Sequence, residues 1–211
     1  MRTRAVSVGR RLAALVGVQV ATAAVLIGVA FASYDRLASD LAFMHRYVLA
    51  RIEGLSDAIE YAAQLKLAAE AAPETPPDVL LMKRWRHDVH LFLERYRNEW
   101  AVAANTSDDA RLFHADLERV NRGGLVTEEM GAINDVARSL GRIETKLASA
   151  GSDGHVAASV ENDARDLRTA LRRLLRVQVA FVGIENAAIE RRSGETYRWM
   201  WIIGILGLLG S

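Results

Sequence analysis

Hydrophobic and polar positions divide the chain into three regimes. From Leu12 to Tyr34 no residue is charged and most are Ala, Val, Leu or Ile; from Trp199 to Ser211 charge is again absent; between the two, apolar residues recur every third or fourth position. A bilayer core about 30 Å thick takes about 20 helical residues, so residues 12–34 predict a transmembrane helix that tolerates Gln19 and Thr22. The run from Trp199 begins a second such helix and stops short of a full crossing. It therefore predicts a chain cut inside its second span. Tyr34 on the first run, and Tyr197, Trp199 and Trp201 on the second, suit the membrane–water interface.

Periodicity sets the class of the middle region. Leu37, Leu41, Met44, Val48, Ile52, Leu55, Ile59 and Ala62 step by three and four, as on one face of a helix continuing directly from the first span. Ala71-Ala72-Pro73 ends that helix. Thr75-Pro76-Pro77-Asp78 predicts the next start, with Thr75 as cap, Pro76 in the first turn and Asp78 closing a capping box. Met82, Trp85, Val89, Phe92, Tyr96, Trp100 and Ala103 form its core face. Asn105 to Asp109 interrupts it with a second box, Thr106 to Asp109, and Asp108 to Asn121 becomes a short separate helix. After Gly123-Gly124, Thr127 is expected to cap a helix whose stripe is Met130, Ile133, Ala137, Leu140 and Leu147. Gly151 to Gly154 turns the chain into a last helix, roughly His155 to Arg198, with Val156, Val160, Leu167, Leu171, Leu174, Phe181, Ile184 and Ala188 on one side. No segment alternates as a strand does. The predicted fold is all-α: an up-down four-helix-bundle-like domain over 35–198, flanked by transmembrane helices at 12–34 and, truncated, 199–211.

Charge orients this layout. Residues 1–11 carry Arg2, Arg4, Arg10 and Arg11 and no acid, so the positive-inside rule places this tail in the cytoplasm and residues 35–198 outside a bacterial inner membrane. The strongest basic cluster abuts an apolar segment while the polar middle is slightly acidic, which argues against a nucleic-acid partner. Ala30-Phe31-Ala32 before Ser33 fits a signal-peptide cleavage site, but the apolar run exceeds the usual ~7–15 residues of a signal. With no cysteine among 211 residues, disulfides, cysteine-ligated zinc and a cysteine nucleophile are excluded.

An arginine-flanked first span, a helical extracytoplasmic region and re-entry at Tyr197 to Trp201 together resemble the all-helical sensor region of bacterial transmembrane receptors, as in chemoreceptors, sensor histidine kinases and membrane-bound diguanylate cyclases. The likeness covers nearly the whole chain and rests on layout, without a residue-level signature. It implies the input portion of a homodimeric signal-transduction receptor, a sensor histidine kinase before the other types, that answers a small molecule, a protein partner or envelope stress. The output chemistry would follow Ser211, and the chain itself would be no enzyme and hold no cofactor. The competing class is a two-span adaptor or structural protein whose bundle binds an envelope partner.

Several constellations bear on chemistry. His87, His90 and Glu94 have metal-ligand spacing on a helix, yet the core stripe turns them toward solvent and no second ligand cluster stands out. Arg86 to Leu93 superficially resembles a phosphoacceptor helix with a histidine followed by an acid, but lacks the downstream asparagine and lies outside the membrane, away from ATP. Arginines suit carboxylate and phosphate ligands; they gather as Arg84, Arg86, Arg95 and Arg97 on one helix and Arg165, Arg168, Arg172 and Arg173 on another, with acids near both. Trp85, Phe92, Tyr96 and Trp100 form an aromatic stripe that serves as core or lines a pocket. The ligand set drawn from these is Trp85, Tyr96, Trp100, Arg168 and Arg172. No phosphate loop, nucleophile elbow or metal motif is present. In the first span, Gly17 and Gly28 lie in small residues spaced by four, and predict a close helix contact in a dimer.

Overall fold

The computed structural model describes residues 2–71, 78–106, 123–149 and 159–209, and all regular structure among them is helical. Helix α1 (Arg2–Phe43) passes through a π-helical segment (Met44–Leu49) into α2 (Ala50–Ala71); α3 (Val79–Thr106), α4 (Gly123–Ser149) and α5 (Glu161–Leu209) follow. The chain divides into two compact units, residues 43–185 and the pairing of residues 1–42 with 186–211.

In the first of these units the buried positions keep a seven-residue rhythm. They are Leu55, Ala58, Ala62, Leu65 and Ala69 on α2, Met82, Val89, Leu93 and Tyr96 on α3, Ile133, Val136, Leu140, Ile143 and Leu147 on α4, and Ala164, Leu167, Leu171 and Leu174 on α5. Alternating steps of three and four average 3.5 residues, the period that keeps one face of a helix against long, nearly aligned neighbours. All four helices feed one core. Alanine at three of these five core positions of α2 lets a neighbour approach closely, while each leucine contributes roughly 1.5–3 kcal/mol by leaving water. A second cluster joins Met44 and Val48 of the π segment to Val177, Phe181 and Ile184 of α5, with Leu125 and Val126 packed against it.

Several sequence expectations shift. The N-cap of α3 is Asp78: its Oδ1 accepts from Leu81 N–H at 3.0 Å and its carbonyl from Met82 N–H at 3.0 Å. A carboxylate there meets both free N–H groups and the positive end of the helix; Thr75, the expected cap, lies outside the described residues. Thr127 is no cap, because α4 already begins at Gly123, held by Leu125 and Val126 in the second cluster. Of its expected stripe Ile133, Leu140 and Leu147 are buried and Ala137 is half-buried, but Met130 is 52% exposed and the neighbouring Glu129, 1% exposed, takes its place. Leu37 and Leu41 are exposed and the buried stripe starts at Met44. Phe92 yields its core place to Leu93 and is half-buried. The break at 105–109 and the segment 108–121 fall largely outside the described residues, as does Val156.

The α4–α5 junction is held by charge. Asp163, in the first turn of α5, receives Arg142 Nε at 2.6 Å and Lys146 Nζ at 2.6 Å; Lys146 also donates to the Ser159 carbonyl at 2.6 Å, and Arg142 reaches Asp166 at 3.0 Å. Burial alone raises a carboxyl pKa; here hydrogen bonds and charge from Lys146 and Arg142 outweigh it and hold Asp163 below its ordinary value.

In the other unit α1 and the end of α5 run antiparallel, with Ser33 Oγ 3.4 Å from Thr196 Oγ1 and Arg192 Nη1 3.2 Å from Asp40 Oδ2. Leu12–Ala42 is long and apolar enough to cross a membrane, and its apolar side chains face outward. Among the described residues it stands alone in this: a span's length counted back from Leu209 takes in Arg192, Glu195 and Arg198. Tyr197, Trp199 and Trp201 are exposed on that helix.

Candidate functional site: a polar layer in the helical core

At one level the hydrophobic rhythm is replaced by polar side chains. Continuing each stripe by its own spacing brings α2 to Arg51, α3 to Tyr96, α4 to Glu129 and α5 to Gln178, and all four are at least 96% buried. Each helix contributes one member.

Tyr96 is the centre of the layer. Its hydroxyl donates to Glu129 Oε1 at 2.5 Å and accepts from Gln178 Nε2 at 2.6 Å, and the same amide nitrogen donates to Glu129 Oε1 at 2.9 Å. The Arg51 guanidinium carbon sits 4.7 Å from the centroid of the Tyr96 ring, a cation–π contact, and the Phe92 ring tilts against it at 5.7 Å. Burial, and then the Glu129 charge, push the phenol far above its ordinary pKa of 10.0, so it stays a donor throughout the physiological range.

Such a layer is costly. A buried carboxylate requires donors and a compensating charge, and replacing polar core groups by apolar ones of similar volume is often neutral or stabilising. What the layer provides is geometry: Tyr96, Glu129 and Gln178 bond one another at one helix register, with Arg51 held over the Tyr96 ring, and a slip of one position separates donors from acceptors. None of its atoms presents a nucleophile or a proton-transfer pair to solvent.

The expected site residues disperse. Tyr96 sits in the polar layer; Trp85 is half-buried against the apolar core. Trp100 is within α3, its side chain outside the described residues. Arg168 is half-buried and Arg172 exposed on α5, and neither is among the partners of Tyr96. His87 is exposed and His90 Nε2 lies 3.3 Å from Glu94 Oε1 on the surface; among the described residues no group of three or more His, Asp or Glu gathers as for a metal ion. Arg86 pairs with Glu144 at 3.1 Å and Arg173 with Glu128 at 3.2 Å, tying α3 to α4 and α4 to α5. Nothing lies within 4 Å of a Cβ placed on Gly17 or Gly28, so each leaves an open notch in this chain. Sequence reasoning missed Arg51, Glu129 and Gln178. The signal that finds them is the stripe itself, extended through positions where the residue type is polar.

No protein-family model matches the chain, and no curated protein or solved structure matches it.

Proposed function

We propose that the chain is the sensing portion of a bacterial transmembrane signal-transduction receptor, of the sensor histidine kinase type, working as a homodimer with residues 35–198 outside the inner membrane as a four-helix bundle and the arginine-rich tail in the cytoplasm. The observation that carries this reading is the length of α5: one unbroken helix of 49 residues contains both core positions such as Leu167 and the apolar turns after Trp199. A helix transmits a displacement along its axis because its hydrogen-bond ladder resists compression. A repacking in the core therefore moves the apolar end.

The polar layer supports the same reading. It provides a defined resting register and, once its bonds are exchanged, a second arrangement in which the apolar layers on either side remain buried. The signal is a small molecule, a protein partner or envelope stress, and the bilayer is the medium across which it passes.

The cysteine-free sequence permits a direct test. Arg84→Cys and Gly9→Cys, each alone, are treated with a membrane-impermeant maleimide in intact spheroplasts: Arg84→Cys labels at once and Gly9→Cys only after permeabilisation. In the full chain fused to a reporter kinase, oxidation of a Ser33→Cys/Thr196→Cys pair then changes kinase output at least threefold. Reversed labelling removes the orientation, and crosslinking without any change in output removes the receptor function in favour of an adaptor.

A further inference from the structure

Between α2 and α3 lies a groove of about 290 Å³, separate from the polar layer. Each helix supplies positions spaced as one face: Gly54, Asp57 and Tyr61 from α2, Asp88, Phe92 and Arg95 from α3. The groove exists because residue 54 has no side chain. A Cβ there would meet Phe92 Cε2 at 2.8 Å, so the ring lies directly on the α2 backbone. Asp57 of α2 and Asp88 of α3 line the same groove.

Some charged side chains of the two helices are paired with neighbours. Lys66 pairs with Glu70, Arg86 with Glu144 and His90 with Glu94. Asp57, Asp88 and Arg95, by contrast, make no ion pair or side-chain hydrogen bond among the described residues, and the Tyr61 hydroxyl makes none. Two carboxylates thus face one concavity floored by an aromatic ring, with a guanidinium one turn beyond.

We propose that this groove is a binding site for a small organic ammonium compound with an apolar body. The ammonium lies between Asp57 and Asp88, where it relieves the repulsion of two like charges and gains charge-assisted hydrogen bonds. The apolar body lies on Phe92 and beside Tyr61, whose ring faces also favour a cation. Arg95 repels a second positive charge, so the occupant is a monoamine. The volume, about 290 Å³, falls just below the about 300–1,000 Å³ of ligand sites, which limits the occupant to a small molecule. The site rests on the groove alone and holds whether or not the chain transmits a signal.

The test is calorimetric titration of the purified full chain in nanodiscs at neutral pH with 2-phenylethylammonium chloride, and in parallel with 3-phenylpropanoate, similar in size and opposite in charge. The expected result is saturable one-site binding of the amine, none of the carboxylate, and affinity about tenfold weaker in Asp57→Asn and in Asp88→Asn, as for loss of one hydrogen bond to a charged group. Both aspartates lack partners, so each variant keeps the wild-type far-UV circular dichroism and thermal midpoint. Non-saturating heat, equal binding of the carboxylate, or amine binding unchanged in both variants overturns the assignment.

Discussion

Tyr96→Phe removes one oxygen atom from the polar layer and nothing else. The ring, its packing on Phe92 and the face presented to Arg51 all remain, so the apolar and cation–π contributions cancel between wild type and variant. What is lost is the 2.5 Å bond to Glu129 and the 2.6 Å bond from Gln178. Gln178 keeps its second bond to Glu129, at 2.9 Å, and so is not stranded. The carboxylate loses a neutral donor in a buried site, which costs about 1.5–3 kcal/mol. At about 2–4 °C per kcal/mol for a chain of this size, the thermal midpoint falls by roughly 3–12 °C. It is read by circular dichroism at 222 nm on the purified chain in a fixed mild detergent. A double-mutant cycle with Glu129→Gln isolates the pair and is expected to return a coupling of about 1–2 kcal/mol. A Tyr96→Phe midpoint within 1 °C of wild type, or a coupling near zero, refutes the claim that the layer is bonded as a unit.

Two other perturbations follow from the same geometry. Asp163 has a folded-state pKa below its ordinary value of 3.8, so its contribution to stability is complete above that value and is lost as pH falls through the folded-state pKa; in Asp163→Asn the stability–pH profile between about pH 5 and pH 2 is flatter, measured by urea unfolding at each pH, and an unchanged acid limb counts against the role given to Lys146 and Arg142. Gly54→Ala gains up to about 1 kcal/mol of helix propensity but drives a Cβ to 2.8 Å from the Phe92 ring, for which overpacking costs of about 1–3 kcal/mol apply; the variant is less stable than wild type in the same unfolding assay, and Gly54→Ala combined with Phe92→Leu recovers more stability than either change alone predicts.

The helices were legible because their signal is local. The apolar stripe through Val160, Leu167, Leu171, Leu174, Phe181 and Ile184 is written at helical spacing, and these residues are buried as that spacing implies. Leu12–Tyr34 is apolar all round and needs no partner to be recognised. Element boundaries were less legible. Thr127 has the chemistry of a cap, but Leu125 and Val126 find a buried partner in Phe181 and its neighbours and extend α4 backward through it.

Sequence alone determined that the chain is helical, that its apolar positions recur in stripes, and that one segment matches the thickness of a bilayer, since these follow from backbone hydrogen bonding and from side-chain period within a single element. Only the tertiary structure decided which polar residues lie on the buried face. Arg51, Glu129 and Gln178 look like solvated residues in any one helix; they become a layer because the register between four helices brings them to the same level as Tyr96. The groove is equally invisible in one dimension, because it depends on a glycine of α2 lying beneath an aromatic ring of α3. A pattern along one helix reports the direction each side chain points, and the partner it meets there is set by packing between elements distant in sequence.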